Sequence, residues 1–134
     1  MNRGHAELRR ILLVDDEEEV RLVAKMALET VGGFEVGEAA SGADALAAAR
    51  SGDFDLVLLD VMMPAMDGLA TFDALRASQA SRDLPVVFMT AKVQPSEVRA
   101  YLARGAIGVI PKPFSPMEVS GEVRRLWANR EAKL

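Results

Sequence analysis

The sequence predicts an α/β fold: a (βα)5 doubly wound five-stranded parallel sheet with helices on both faces. Short apolar runs alternate with longer amphipathic segments along the whole chain, and four of the five runs are apolar almost without interruption. Strands covered by helices on both sides read in this way, whereas strands of a half-exposed sheet alternate between apolar and polar residues. A length of 134 residues suits one domain on a prior of ~100–200 residues each. A hydrophobic content of 50% supplies enough apolar surface for its core.

The first run is Ile11-Leu12-Leu13-Val14. An acidic turn follows it, and Val20, Ala24, Ala27 and Val31 then mark a helix that Gly32-Gly33 ends. Phe34-Glu35-Val36 is the weakest strand and the one that alternates, which places it at a sheet edge. Ser41 is the N-cap of an alanine-rich second helix around Leu46 that stops at Gly52. Leu56-Val57-Leu58-Leu59 forms the third strand, and Asp67-Gly68 leads into a helix carrying Leu69, Phe72 and Leu75. Val86-Val87-Phe88-Met89 precedes a fourth helix, opened by Pro95, marked by Val98, Tyr101 and Leu102, and closed by Gly105. Ile107-Gly108-Val109-Ile110 and a last helix with Val119, Val123, Leu126 and Trp127, starting near Ser115-Pro116, complete the pattern. Right-handed crossovers then favour the flavodoxin-like strand order 2-1-3-4-5, with the switch point between the first and third strands.

Composition excludes several classes of function. With sixteen Lys+Arg against twenty Asp+Glu, the net charge is −4, which disfavours binding nucleic acid or an anionic membrane through a broad basic face. The absence of cysteine removes disulfides, zinc-thiolate sites, iron–sulfur clusters and a cysteine nucleophile together. The one histidine, His5, lies in a polar N-terminal stretch read as a flexible tail. No apolar stretch approaches the ~18 residues of a membrane span, and no signal-peptide core is present, so a cytoplasmic location is expected.

Open α/β sheets build their sites at the carboxyl ends of the strands. The polar residues there are Asp15 and Asp16 after the first run, Asp60 after the third, Thr90 after the fourth and Lys112 shortly after the fifth. Three converging carboxylates raise one another's pKa unless a cation neutralises them. Oxygen-only ligation suits Mg²⁺, or Mn²⁺ in its place. Glu17, Glu18 and Glu19 are explained as helix-start anions favoured by the helix dipole. Lys112 and Thr90 supply the electrophilic half of a phosphoryl-transfer site, and Asp60, on a central strand, is the candidate nucleophile.

The segments Ile11-Leu12-Leu13-Val14-Asp15-Asp16-Glu17, Leu58-Leu59-Asp60 through Asp67-Gly68, Met89-Thr90-Ala91, Gly105-Ala106 and Pro111-Lys112-Pro113-Phe114 occur in that order. Together they resemble the receiver domain of two-component response regulators, of the stand-alone chemotaxis-regulator type. The resemblance covers residues 9–130, with flexible tails at 1–8 and 131–134 and no output domain expected. It implies that Asp60 accepts a phosphoryl group from the phosphohistidine of a sensor histidine kinase or phosphotransfer protein. Asp16, Asp60 and the backbone carbonyl of Met62 would ligate Mg²⁺, Asp15 would act mainly through metal-bound water, and Thr90 and Lys112 would contact the phosphoryl oxygens. A cis Lys112-Pro113 peptide is implied as well. The phosphorylated form would signal through the fourth helix, fifth strand and fifth helix, to an effector protein or a second copy. Direct contact with nucleic acid or membrane is not expected.

Three positions modulate this expectation. Met62 overhangs the site and cannot orient a hydrolytic water, and Lys92 is the other gatekeeper, so a long-lived phosphoryl group is expected. Val109 stands where many receivers carry an aromatic, which removes the usual aromatic relay. Tyr101 and Trp127 are read as surface aromatics on the output side, the alternative for Tyr101 being a cap on the core with its hydroxyl in water. An aspartyl phosphatase needs a second aspartate where Met62 stands, so turnover of an external substrate is not expected. A flavodoxin would place flavin phosphate against Asp15-Asp16-Glu17, which repels it. A receiver that binds partners without phosphorylation is disfavoured by the presence of all five site residues.

Overall fold

Ten elements alternate in the computed structural model, which describes residues 7–130. They are β1 (Arg10–Val14), α1 (Glu18–Thr30), β2 (Glu35–Ala39), α2 (Gly42–Ser51), β3 (Leu56–Asp60), α3 (Gly68–Ala77), β4 (Val86–Thr90), α4 (Pro95–Arg104), β5 (Gly108–Pro111) and α5 (Val119–Ala128). All four strand pairings are parallel, and the sheet order is β2-β1-β3-β4-β5, as expected.

The side-chain period of two divides each central strand between two cores. Leu12, Val14, Val57, Leu59, Val86 and Phe88 face α2, α3 and α4, where Ala45, Ala49, Phe72, Leu75 and Tyr101 cover them. Ile11, Leu13, Leu56, Leu58, Val87 and Met89 face α1 and α5, meeting Ala24, Ala27, Leu28, Val119 and Val123. Each fully buried Leu, Ile or Phe is worth about 1.5–3 kcal/mol, so both layers hold the sheet.

Local chemistry sets the helix ends. The Ser41 hydroxyl accepts from Asp44 N–H at 3.1 Å, as a helix N-cap does. Asp67 does the same for α3, accepting from Ala70 N–H at 2.8 Å. At α4, Pro95 occupies the first turn and the Gln94 N–H donates to the Glu97 carboxylate at 3.0 Å.

Several boundaries differ from expectation. β2 runs on to Ala39, and Phe34, placed in that strand by its apolarity, lies just before it and is buried. Val31 is exposed, because it is the C-cap residue just beyond the last turn of α1, while Ala24, Ala27 and Leu28 of the same face are buried. α5 begins at Val119, after a turn in which Glu118 and Val119 N–H both donate to the Ser115 carbonyl. The tails expected at the two ends fall mainly on residues 1–6 and 131–134, outside the described residues. Leu8, assigned to the N-terminal tail, is only 6% exposed and packs in the α1–α5 core. Among the described residues, no helix is long and apolar enough to cross a membrane.

Candidate functional site

The carboxyl ends of β1, β3, β4 and β5 meet at one edge of the sheet. Asp15 follows β1 directly and is fully buried, Asp60 ends β3 at 2% exposure, and Thr90 ends β4 fully buried. Lys112, just beyond β5, reaches back to both acids: its Nζ is 2.9 Å from Asp15 Oδ2 and 3.3 Å from Asp60 Oδ1. Asp16 is the most exposed of the three aspartates, and one carboxylate oxygen from each of Asp15, Asp16 and Asp60 lies within 4.8 Å of the others. The structure thus brings Asp15, Asp16, Asp60 and Lys112 together as the sequence reading expected, with Thr90 on the adjacent strand. The Lys112-Pro113 peptide is cis.

Asp15 is held at every polar atom. Its N–H donates to the Ala39 carbonyl at 3.1 Å and its carbonyl accepts from Arg21 at 2.8 Å. Its Oδ1 accepts from Glu17 N–H at 2.9 Å and its Oδ2 from Lys112 at 2.9 Å. Arg21 in turn lies 3.2 Å from Glu38 of β2, so an α1–β2 ion pair clamps the acidic loop. Nothing in the sequence pattern marks Arg21 for this role, since the contact depends on β2 lying beside β1.

Burial, then repulsion from Asp15, raises the Asp60 carboxyl from 3.8 to about 6, against the opposing pull of Lys112 and of the Met62 N–H. Burial lowers the Lys112 ammonium, but its contacts with Asp15 and Asp60 outweigh this and hold its pKa above the usual lysine value. Gly68 shapes the same corner from α3. Its N–H donates to the Val61 carbonyl at 2.8 Å, and a Cβ at this position would collide with the Asp60 carbonyl oxygen.

Three carboxylates without His or Cys form the oxygen-only donor set that a hard divalent ion takes. Opposite ligands on Mg²⁺ stand ~4.2 Å apart, close to the spread of these oxygens. Burial first and the Asp15 carboxylate second disfavour the charge on Asp60, and Lys112 offsets this only in part, so a bound cation would find uncompensated negative charge here. These residues therefore fit Mg²⁺.

Met62 is 58% exposed and lines an open groove of about 570 Å³ beside Asp60, with Val20 and Val23 of α1 and Phe114 beyond Lys112. Met63 is buried in the α2–α4 core, and Met66 packs near Gly42. Lys92 is exposed, while its N–H donates to Thr90 Oγ1 at 3.0 Å. Val109 is half-buried against the α2–α4 core. Tyr101 takes the core-capping alternative instead of the surface one: it is 6% exposed, and its hydroxyl, expected in water, donates to the Lys92 carbonyl at 3.1 Å. Trp127 is half-buried and packs on the α1–α5 core.

Solved structures share this fold. A chemotaxis protein of Vibrio cholerae, CheY4, superimposes with a TM-score of 0.81 at 32% identity, covering 90% of this chain and 99% of that one. The N-terminal domain of a response regulator receiver protein from Methanoculleus marisnigri gives 0.73 at 35% identity, covering 89% and 96%. Transcriptional regulatory protein SrrA of Staphylococcus aureus is 38% identical over 116 residues, which is 87% of this chain and 46% of that protein. The chain thus spans about half the length of the curated relatives it matches. With residues 11–124 matching the response regulator receiver domain and the fold and acidic pocket arranged as described, the chain belongs to that family of two-component receivers.

Proposed function

We propose that the chain is a phosphorylation-controlled interaction switch whose phosphoacceptor is Asp60. The observation that carries this reading is a nearly buried carboxylate at a strand end, with the Lys112 ammonium 3.3 Å away and two further carboxylates within 4.8 Å. An Asp60 carboxylate oxygen attacks the phosphorus of a donor phosphohistidine, the P–N bond breaks, and its electron pair leaves on the imidazole nitrogen, which is protonated from solvent. Lys112 holds the incoming phosphoryl oxygens, and the Thr90 hydroxyl donates to one of them. Asp16, Asp60 and the Met62 carbonyl would hold Mg²⁺, and Asp15, with both carboxylate oxygens already engaged, would act on the ion indirectly. Bound there, Mg²⁺ would supply positive charge that balances the transferring group.

The donor is a sensor histidine kinase or phosphotransfer protein. The phosphorylated form signals in the cytoplasm through α4, β5 and α5 to an effector protein or a second copy. The chemistry is confined to the protein's own phosphorylation and dephosphorylation, with no external substrate turned over. Incubation with Mg²⁺ and a small acyl phosphate, followed by intact mass, should show one added phosphoryl group on wild type and none on Asp60→Asn. No adduct on wild type, or an undiminished one on the variant, overturns the reading.

A further inference from the structure

α4 is lightly held. Of its residues, Tyr101 is the one that is buried. A second tether, the Arg104–Asp73 pair at 2.8 Å, is 37% and 63% exposed, and such surface pairs contribute about 0–1 kcal/mol. Tyr101 is therefore the main buried side chain that positions the helix, with Val98 and Leu102 half-buried. The Tyr101 side chain is anchored at both ends: its ring lies 5.4 Å from that of Phe88, which lies 5.5 Å from Phe72, and its hydroxyl donates to the Lys92 carbonyl at 3.1 Å.

Lys92 is also the residue that holds Thr90. Its N–H donates to Thr90 Oγ1 at 3.0 Å. One residue of the loop after β4 is thus bonded through its amide to the Thr90 hydroxyl, at the end of the strand beside that of Asp60, and through its carbonyl to the hydroxyl that anchors α4. Val109, the register partner of Phe88 on β5, has no polar tip, so the hydroxyl contact to this loop comes from α4.

We propose that Tyr101 is the coupling residue that transmits the state of Asp60 to α4, through the chain Thr90–Lys92–Tyr101. This rests on Asp60 being the phosphoacceptor. When the Thr90 hydroxyl turns to a phosphoryl oxygen, a displacement of about 1 Å stretches its bond to Lys92 beyond hydrogen-bonding range unless Lys92 follows. If Lys92 follows, its carbonyl moves relative to a ring wedged against Phe88. The Tyr101 bond then either pulls α4 or breaks, and in both cases the helix changes its equilibrium position.

The chain contains a single tyrosine, so [¹³Cζ]tyrosine labelling gives one resonance that reads this hydroxyl directly. The probe is Mg²⁺ with a small acyl phosphate, with intact mass recording the adduct in the same sample. The Tyr101 resonance should shift in proportion to adduct formed, and the α4 amides of residues 98–104 should shift with it. In Tyr101→Phe, which keeps the ring stack, adduct should form to within about threefold of wild type, while the α4 amide shifts fall to less than about half. A tyrosine that only satisfies a buried polar group gives a fixed resonance despite full adduct. That result, or full α4 shifts in Tyr101→Phe, overturns the coupling and leaves the phosphoacceptor reading intact. No adduct on wild type instead overturns the phosphoacceptor reading, and the coupling with it.

Discussion

Lys112 donates a 2.9 Å hydrogen bond to Asp15, a residue 97 positions earlier, and so ties the end of β5 to the end of β1 beside Asp60. It is the cation on which the electrostatics of the corner depend, because it lowers the Asp60 pKa that burial and Asp15 raise. Lys112→Met should therefore move the Asp60 titration above about 6 in the metal-free protein, followed by carboxyl ¹³C NMR. It should also slow phosphorylation by an acyl phosphate about 10²–10³-fold, the usual scale for losing a preorganised donor. An unchanged titration would mean that Lys112 is a bystander.

The Asp60 carboxyl binds its proton more tightly in the folded protein, at about 6 against 3.8. Its contribution to stability is therefore fully present below pH 3.8 and is lost as the pH rises through about 6. At pH 7 the ionised group opposes the fold. Asp60→Asn should accordingly stabilise the metal-free protein at pH 7 by about 1–3 kcal/mol in urea unfolding, with little gain at pH 4. Mg²⁺ should narrow or reverse the gap by binding the folded wild type. A less stable Asn variant at pH 7 without metal would contradict the assignment.

Arg21 fixes the Asp15 carbonyl at 2.8 Å while paired with Glu38 at 3.2 Å. Groups that orient ligands from behind typically alter metal affinity by about 10–100-fold when removed. Arg21→Met should weaken Mg²⁺ binding at the lower end of that range by calorimetry, with Arg21→Lys recovering part of it. Equal affinity in all three proteins would show that Asp15 is held well enough by its other bonds.

Gly68 is needed because the first turn of α3 lies directly against the Asp60 backbone, with no space for a Cβ. Gly68→Ala should cost about 1–3 kcal/mol as an overpacked contact. Because the strain falls on Asp60, the phosphorylation rate should fall with stability, whereas Gly121→Ala, with open space around it in α5, should raise stability by about 0.5–1 kcal/mol and leave phosphorylation unchanged. A Gly68 variant with wild-type unfolding and phosphorylation would show that the turn relaxes freely.

The site was legible because every one of its chemical residues directly ends or follows an apolar strand. The strands in turn were legible because central parallel strands are buried on both faces and need unbroken apolar sequence. Gly37, Glu38 and Ala39 escaped because edge strand β2 is held largely by its backbone pairing with β1, which leaves little apolar signature. Arg21 and the Tyr101 hydroxyl escaped for a different reason. Their partners are backbone carbonyls, and a carbonyl acceptor looks the same in every sequence. Periodicity placed Tyr101 on α4 but could not show that its tip is roofed by the Lys92 loop.

The exposure of Met62 sets the expected lifetime of the phosphoryl group. Hydrolysis requires a water in line with the Asp60 oxygen–phosphorus bond, positioned by a group able to hydrogen-bond it. Met62 stands two residues beyond Asp60, 58% exposed over the groove, and its thioether is a poor acceptor and no donor. Lys92 offers only donors, so neither position can take a proton from water. Met62→Asn should therefore shorten the phosphoryl lifetime by about 3–30-fold, less than the 10²–10⁴-fold of a full general base. The fold should be untouched, since the residue lies outside both cores. Adduct decay followed by intact mass after removal of the donor measures this directly. Wild-type decay within seconds in Mg²⁺, or equal decay in both proteins, would mean that the water is positioned from elsewhere.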